Sequence, residues 1–118
     1  MNVLSIVIQS ILGLGFLMFG LMKFGAKQMV DEFNRFRLPQ WFRVVTGLVE
    51  IIGAAFIIAG IWNTTFAVIG GLLISFTMVG AILTHLRVKD PVSKAMMPII
   101  LLILGLIVVV LNWSSLLV

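Results

Sequence analysis

Four long apolar runs, each close to the ~20 residues a helix needs to cross a hydrocarbon core, dominate this sequence and dictate the solvent in which it can fold. They cover residues 3–24, broken only by Ser5, Gln9, Ser10 and Lys23; 44–62, containing Glu50; 65–85, ending in Thr84 and His85; and 95–111, with Pro98 in the expected first turn, where a missing amide hydrogen costs little. Such runs lack the periodicity of half-buried elements in soluble domains. With 62% hydrophobic and 10% charged residues among 118, and a mean hydropathy of +1.27, the chain is unlike a water-soluble domain. The expectation is an all-α integral membrane four-helix bundle, a single transmembrane domain over 1–118. The N-terminus lacks a basic region and a convincing small-residue cleavage site, so the first run reads as a retained helix.

Between the first two spans, Ala26, Met29, Val30, Phe33 and Phe36 recur at spacings of three and four, with Lys27, Asp31, Glu32 and Arg35 at other positions. This pattern predicts an amphipathic interfacial helix over 26–38; the alternative is a polar connector. Asp31 and Arg35 are spaced to pair at i,i+4, and Pro39 is expected to end the helix before Trp41 re-enters the headgroup region. The Asn63-Thr64 linker is short enough to make an antiparallel hairpin of the second and third spans.

All 8 Lys and Arg lie in or beside the first and third loops: Lys23, Lys27, Arg35, Arg37 and Arg43, then Arg87, Lys89 and Lys94. The positive-inside rule predicts a multi-pass cell-membrane protein with both termini extracytoplasmic and these loops cytoplasmic. Trp62 and Trp113 then mark the outer interface and Trp41 the inner one. Two N-x-S/T matches, at Asn63 and Asn112, abut the spans and are taken as chance.

Cysteine is absent, which removes disulfides, thiolate metal sites and dithiol redox relays. A single His cannot supply bis-histidine haem ligation, and one carboxylate with one His is too few for a catalytic metal site. The chain is therefore not expected to be catalytic on its own, and nothing in it points to nucleic acid. Gly13, Gly15, Gly70 and Gly71 lie inside apolar helices, where small residues serve close packing rather than phosphate binding; the Met residues likewise read as packing residues.

The chemistry-bearing residues are Lys23, Glu50 and His85, expected at one depth near the cytoplasmic face. At about 1.5 Å per residue Glu50 lies roughly 10 Å along its helix from Arg43, too deep to snorkel easily. Gly47, Gly53 and Ala54 share its face, Gly20 precedes Lys23 by three, and Ala81 sits one turn before His85, so the polar groups are expected at helix contacts. Pairing Glu50 with Lys23 or His85 would offset part of the cost of a charge in lipid. Either a register-setting ion pair or a polar pocket for an amphiphilic ligand fits this pattern, the pocket drawing on Lys23, Glu50, His85, Thr84 and Trp41. An assembly partner of a larger membrane complex, a homo-oligomer, or a proton-coupled transporter of a small solute are the other readings.

The segments Phe19-Gly20-Leu21-Met22-Lys23-Phe24, Leu38-Pro39-Gln40-Trp41-Phe42, Gly47-Leu48-Val49-Glu50-Ile51-Ile52-Gly53-Ala54 and Gly80-Ala81-Ile82-Leu83-Thr84-His85, followed by Lys89-Asp90-Pro91, resemble the DoxX/DoxX-like family of small membrane proteins. Their order and spacing cover almost the whole chain. The resemblance implies a four-helix membrane fold, with Lys23, Glu50 and His85 as the matching polar positions. It also implies a link to quinone chemistry: the family includes subunits associated with a thiosulfate:quinone oxidoreductase and proteins connected with quinone and catechol stress. A bound quinone or lipid is the candidate ligand.

Overall fold

A computed structural model describes residues 3–116, in which five helices and no strand occur: α1 (Val3–Gly25), α2 (Lys27–Arg35), α3 (Gln40–Ala59), α4 (Thr64–Arg87) and α5 (Val92–Leu116). Four of them, all but α2, are long and apolar enough to cross a membrane. The molecule measures 45 × 26 × 20 Å, and its long axis matches the ~40–45 Å of a bilayer with its headgroups. Large apolar side chains such as Leu14, Met18, Phe76 and Val110 point outward. A soluble monomer rarely shows so much apolar surface, and composition and exterior together suggest a lipid environment.

The four long helices form a ring in which α1 packs on α3, α3 on α4, α4 on α5, and α5 back on α1. Leu12, Phe16, Ile57, Ile74 and Val108 fill its centre. Small residues set the closest approaches. A Cβ placed on Gly20 would lie 2.8 Å from the Gly47 carbonyl oxygen, and one on Gly47 would lie 2.9 Å from that of Gly20. The backbones of α1 and α3 thus touch one turn before Lys23 and Glu50. Gly71 and Gly105 bring α4 and α5 together in the same way. Gly13 and Gly70 also serve close packing, whereas Gly15 faces open space.

A buried polar chain ties the ring at the end away from the basic loops. Ser5 donates from Oγ to Gln9 Oε1 (2.6 Å), Gln9 Nε2 to the Ile57 carbonyl (3.0 Å), and Asn112 Nδ2 to Ser5 Oγ (3.0 Å). Three helices are joined by donors that lipid could not satisfy. Burial of Asn112 inside α5 also removes it from the surface, and Asn63 is engaged as the N-cap of α4, accepting from the Thr65 amide. Asn112 is thus no exposed acceptor, whereas Asn63 is exposed in the loop but serves as a helix cap.

The helices begin and end differently from the hydropathy limits. α3 starts at Gln40 rather than near 44, because Pro39, extended at φ −66° and ψ 152°, opens a helix that the polar residues Gln40 and Arg43 can join at the interface. α5 spans Val92–Leu116 rather than 95–111, so Pro98 lies inside the helix and not in its first turn. α2 is confined to Lys27–Arg35, shorter than 26–38, because Arg37 turns into the left-handed region at φ 59°. Its amphipathic reading holds: Phe33 is buried, Met29, Val30 and Phe36 are half-buried, and Lys27, Gln28, Asp31 and Asn34 are exposed.

Candidate functional site

The contact of Gly20 with Gly47 places the residues one turn further on face to face. Lys23 Nζ lies 2.7 Å from Glu50 Oε1, with only 2% of the Glu50 side chain and 15% of the Lys23 side chain exposed. Among the described residues no group other than Lys23 meets Oε1, and a carboxylate has lone pairs beyond those one ammonium engages. The carboxylate therefore keeps acceptor capacity. The Lys23 carbonyl, in the last turn of α1, accepts from Arg43 Nη1, and Arg43 Nε donates to Gln40 Oε1 at 2.7 Å. This corner fixes the end of α1 against the start of α3.

The pair opens onto a cavity of about 580 Å³ between α1, α3, α4 and α5, with α2 at its mouth. Its wall is mostly aromatic and aliphatic: Phe19, Phe33, Phe36, Phe42 and Phe76 line it with Met29, Met78 and Met97. Lys23, Glu50, Thr84 and His85 supply polar atoms, with Glu32 at the α2 side. Small ligand sites are typically of this size and composition, apolar with a few placed polar groups. Thr84 donates its hydroxyl hydrogen to the Gly80 carbonyl (2.8 Å), which leaves its oxygen able to accept.

His85 faces this cavity but does not pair with Glu50. Its Nδ1 lies 2.7 Å from Asp90 Oδ2, because the turn through Val88 and Lys89 folds back so that the Asp90 amide donates to the His85 carbonyl. Asp90 in turn takes Arg35 Nη1 on Oδ1 at 2.7 Å. Arg35 also grips both oxygens of Glu32 through Nε (3.1 Å) and Nη2 (2.8 Å). The Asp31–Arg35 pair is thus replaced: Glu32, at i−3, shares the face of Arg35 that looks toward the α4–α5 turn, and Asp31 is exposed. Phe36 stands edge-on to His85 at 5.4 Å, and Arg87 donates to its carbonyl. Together these contacts moor α2 to the α4–α5 turn.

Trp41 takes no part. Placed in the first turn of α3, it is 67% exposed and meets Phe42 edge-on at 5.8 Å, outside the cavity. Sequence reasoning missed Asp90, Glu32 and the phenylalanine wall. The available signal was the scarcity of acids: Asp90 is one of 4 in the chain and stands five residues after the sole His.

A family model for the DoxX-like family matches residues 7–108. The chain belongs to the DoxX-like family. This DoxX-like chain is also 37% identical over 81 residues, 68% of its own length and 71% of the relative's, to the uncharacterized protein YdgD of Bacillus subtilis (strain 168). No solved structure gives a significant match. Among its described residues no group of three or more His, Cys, Asp or Glu is placed to hold a metal ion.

Charge holds the mooring of the DoxX-like bundle across the ordinary pH range. The Arg35 guanidinium, and after it His85, pull the Asp90 carboxyl down to about 2, and Arg35 likewise lowers Glu32. A carboxyl depressed on folding stabilises fully above its unfolded value and loses that contribution as pH falls through the folded one. The difference in melting temperature between the parent protein and Asp90→Asn is therefore expected to be constant above about pH 5 and to vanish toward about pH 2. A difference that instead disappears between neutral and mildly acid pH would show that Asp90 is not the group holding α2.

Proposed function

We propose that this DoxX-like protein is a membrane-embedded binding subunit for a quinone-like or other amphiphilic molecule. The observation that carries the reading is the Lys23–Glu50 ion pair set in the wall of a mostly apolar cavity. An apolar body fits among the phenylalanines, and its polar head meets a cation, a carboxylate, the Thr84 oxygen and the His85 ring. Asp90 is an ionised acceptor, so Nδ1 of His85 carries the hydrogen toward it and Nε2 remains for a ligand. Lys23 suits a carbonyl oxygen and Glu50 a hydroxyl, the two forms in which a quinone-type head occurs.

The basic loops meet at the end of the bundle where the cavity lies, as the Arg35–Asp90 contact shows. By the positive-inside rule that end is cytoplasmic and both termini are extracytoplasmic, which puts the cavity at the inner leaflet of the cell membrane. Mass spectrometry of protein purified with its native lipids is expected to find a co-purifying amphiphile that Glu50→Gln loses by about tenfold or more, the scale of one charged hydrogen bond. An empty preparation that brings down a stoichiometric protein partner and tolerates Glu50→Gln would sink this reading in favour of an assembly role.

A further inference from the structure

The end of the bundle carries a second hollow, of about 520 Å³, built from six residues: Arg35, Phe36, Arg37, Arg87, Val88 and Lys89. It is separate from the aromatic cavity in chemistry, since four of its six residues are cations and none is acidic. Arg35 is neutralised by Glu32 and Asp90, and Arg87 spends one nitrogen on the Phe36 carbonyl. Among the described residues Arg37 and Lys89 form no ion pair.

These two share a further property. Among the described residues they are the non-glycine positions with a left-handed backbone, at φ 59° and 60°. Each follows the end of a helix, α2 and α4, where a left-handed residue is most often glycine because a side chain there is strained. Attraction of a cation to the negative end of a helix accounts for basic residues near such ends, but it does not require that they occupy the strained position. Both close their helices, Leu38 N donating to the Phe33 carbonyl and Asp90 N to that of His85, and with a cation in place of glycine at each they bring two cations without ion-pair partners to one hollow, beside a third on Arg87. Outliers of this kind gather at ligand clamps.

We propose that this hollow clamps a phosphoryl group, that of an anionic phospholipid headgroup at the membrane surface. The level is right for it, at the end of the spans where headgroups lie and where basic pockets bind them. Arg37 and Arg87 offer planar donor forks and Lys89 a point charge. The aromatic cavity and its ligand play no part, so the proposal stands or falls independently of the function given above.

The test uses full-length protein in nanodiscs of equimolar phosphatidylcholine and phosphatidylglycerol, with retained lipid read by native mass spectrometry. Arg37→Gly/Lys89→Gly is expected to lower the retained phosphatidylglycerol-to-phosphatidylcholine ratio by about tenfold or more, from two charges at the membrane surface. Its melting temperature is expected to hold or rise, because glycine relaxes both left-handed positions. Lys27→Gln, an exposed cation outside the hollow, should leave the ratio unchanged. Displacement of the lipid by excess inorganic phosphate would support a clamp that a soluble phosphate can also fill; retention against phosphate would support a clamp for lipid alone. An unchanged ratio in the double variant, or an equal drop with Lys27→Gln, overturns the proposal, as does a melting temperature that falls with the ratio, which would make the cations helix caps.

Discussion

Glu50→Ala is expected to destabilise the bundle by about 3 kcal/mol, because it leaves Lys23 without its counter-charge in a site almost closed to solvent. The lower end of the range for breaking a buried pair applies, since the ammonium borders the cavity and can be reached there by water. Lys23→Met/Glu50→Leu is expected to recover most of that loss, for matched apolar side chains remove two desolvation penalties together. Unfolding in mixed micelles measures both. The double variant also separates structure from function: a stable bundle that no longer retains its amphiphile assigns the pair to binding, whereas unaltered retention assigns it to helix register alone. A loss below about 0.5 kcal/mol in Glu50→Ala would contradict the burial from which the prediction starts.

Gly20→Val carries the second large effect, expected at about 3 kcal/mol, the upper part of the usual range for overpacking. The new Cβ would meet the Gly47 carbonyl oxygen at 2.8 Å and Ile51 Cγ1 at 2.7 Å, and a backbone oxygen cannot turn aside as a side-chain tip can. The helices must part, and the Lys23–Glu50 contact one turn away parts with them. Gly15→Val, on the same helix but with nothing within 4 Å of the added Cβ, should stay within about 1 kcal/mol, the scale of ordinary helix propensity differences. Equal losses at the two glycines would mean that α1 and α3 do not cross where their backbones touch.

Much of this was legible in the residues. A span has to be apolar over a fixed length, so hydropathy alone locates α1, α3, α4 and α5 to within a few residues, and the ends it misses mix polar residues such as Gln40, Arg43, Arg87 and Lys94 with apolar ones. The Lys23–Glu50 meeting was legible through Gly20 and Gly47, since a small residue three positions before a polar one marks a helix contact. The partner of His85 was not. Asp90 reads as a loop acid, and only the left-handed turn at Lys89 brings it back beneath the ring. Trp41 misled for a related reason: its place in the chain suits the cavity mouth, but starting α3 at Gln40 directs it outward. The cavity itself is a shape left by five phenylalanines from four segments, and no periodicity records an unfilled space.

The hydrogen-bonded chain of Ser5, Gln9 and Asn112 at the far end has a kinetic meaning. It clasps α1, α3 and α5 at that end, while at the opposite end α2 is held by ionic contacts of Arg35 with Glu32 and Asp90 that water can reach. Of the elements at that end, α2 is the one whose hold rests on these ionic contacts, since α1 and α3 are already joined there through Gly20 and Gly47. A molecule residing in the bundle would come and go through one leaflet only, and its residence time would be set by how often α2 lets go.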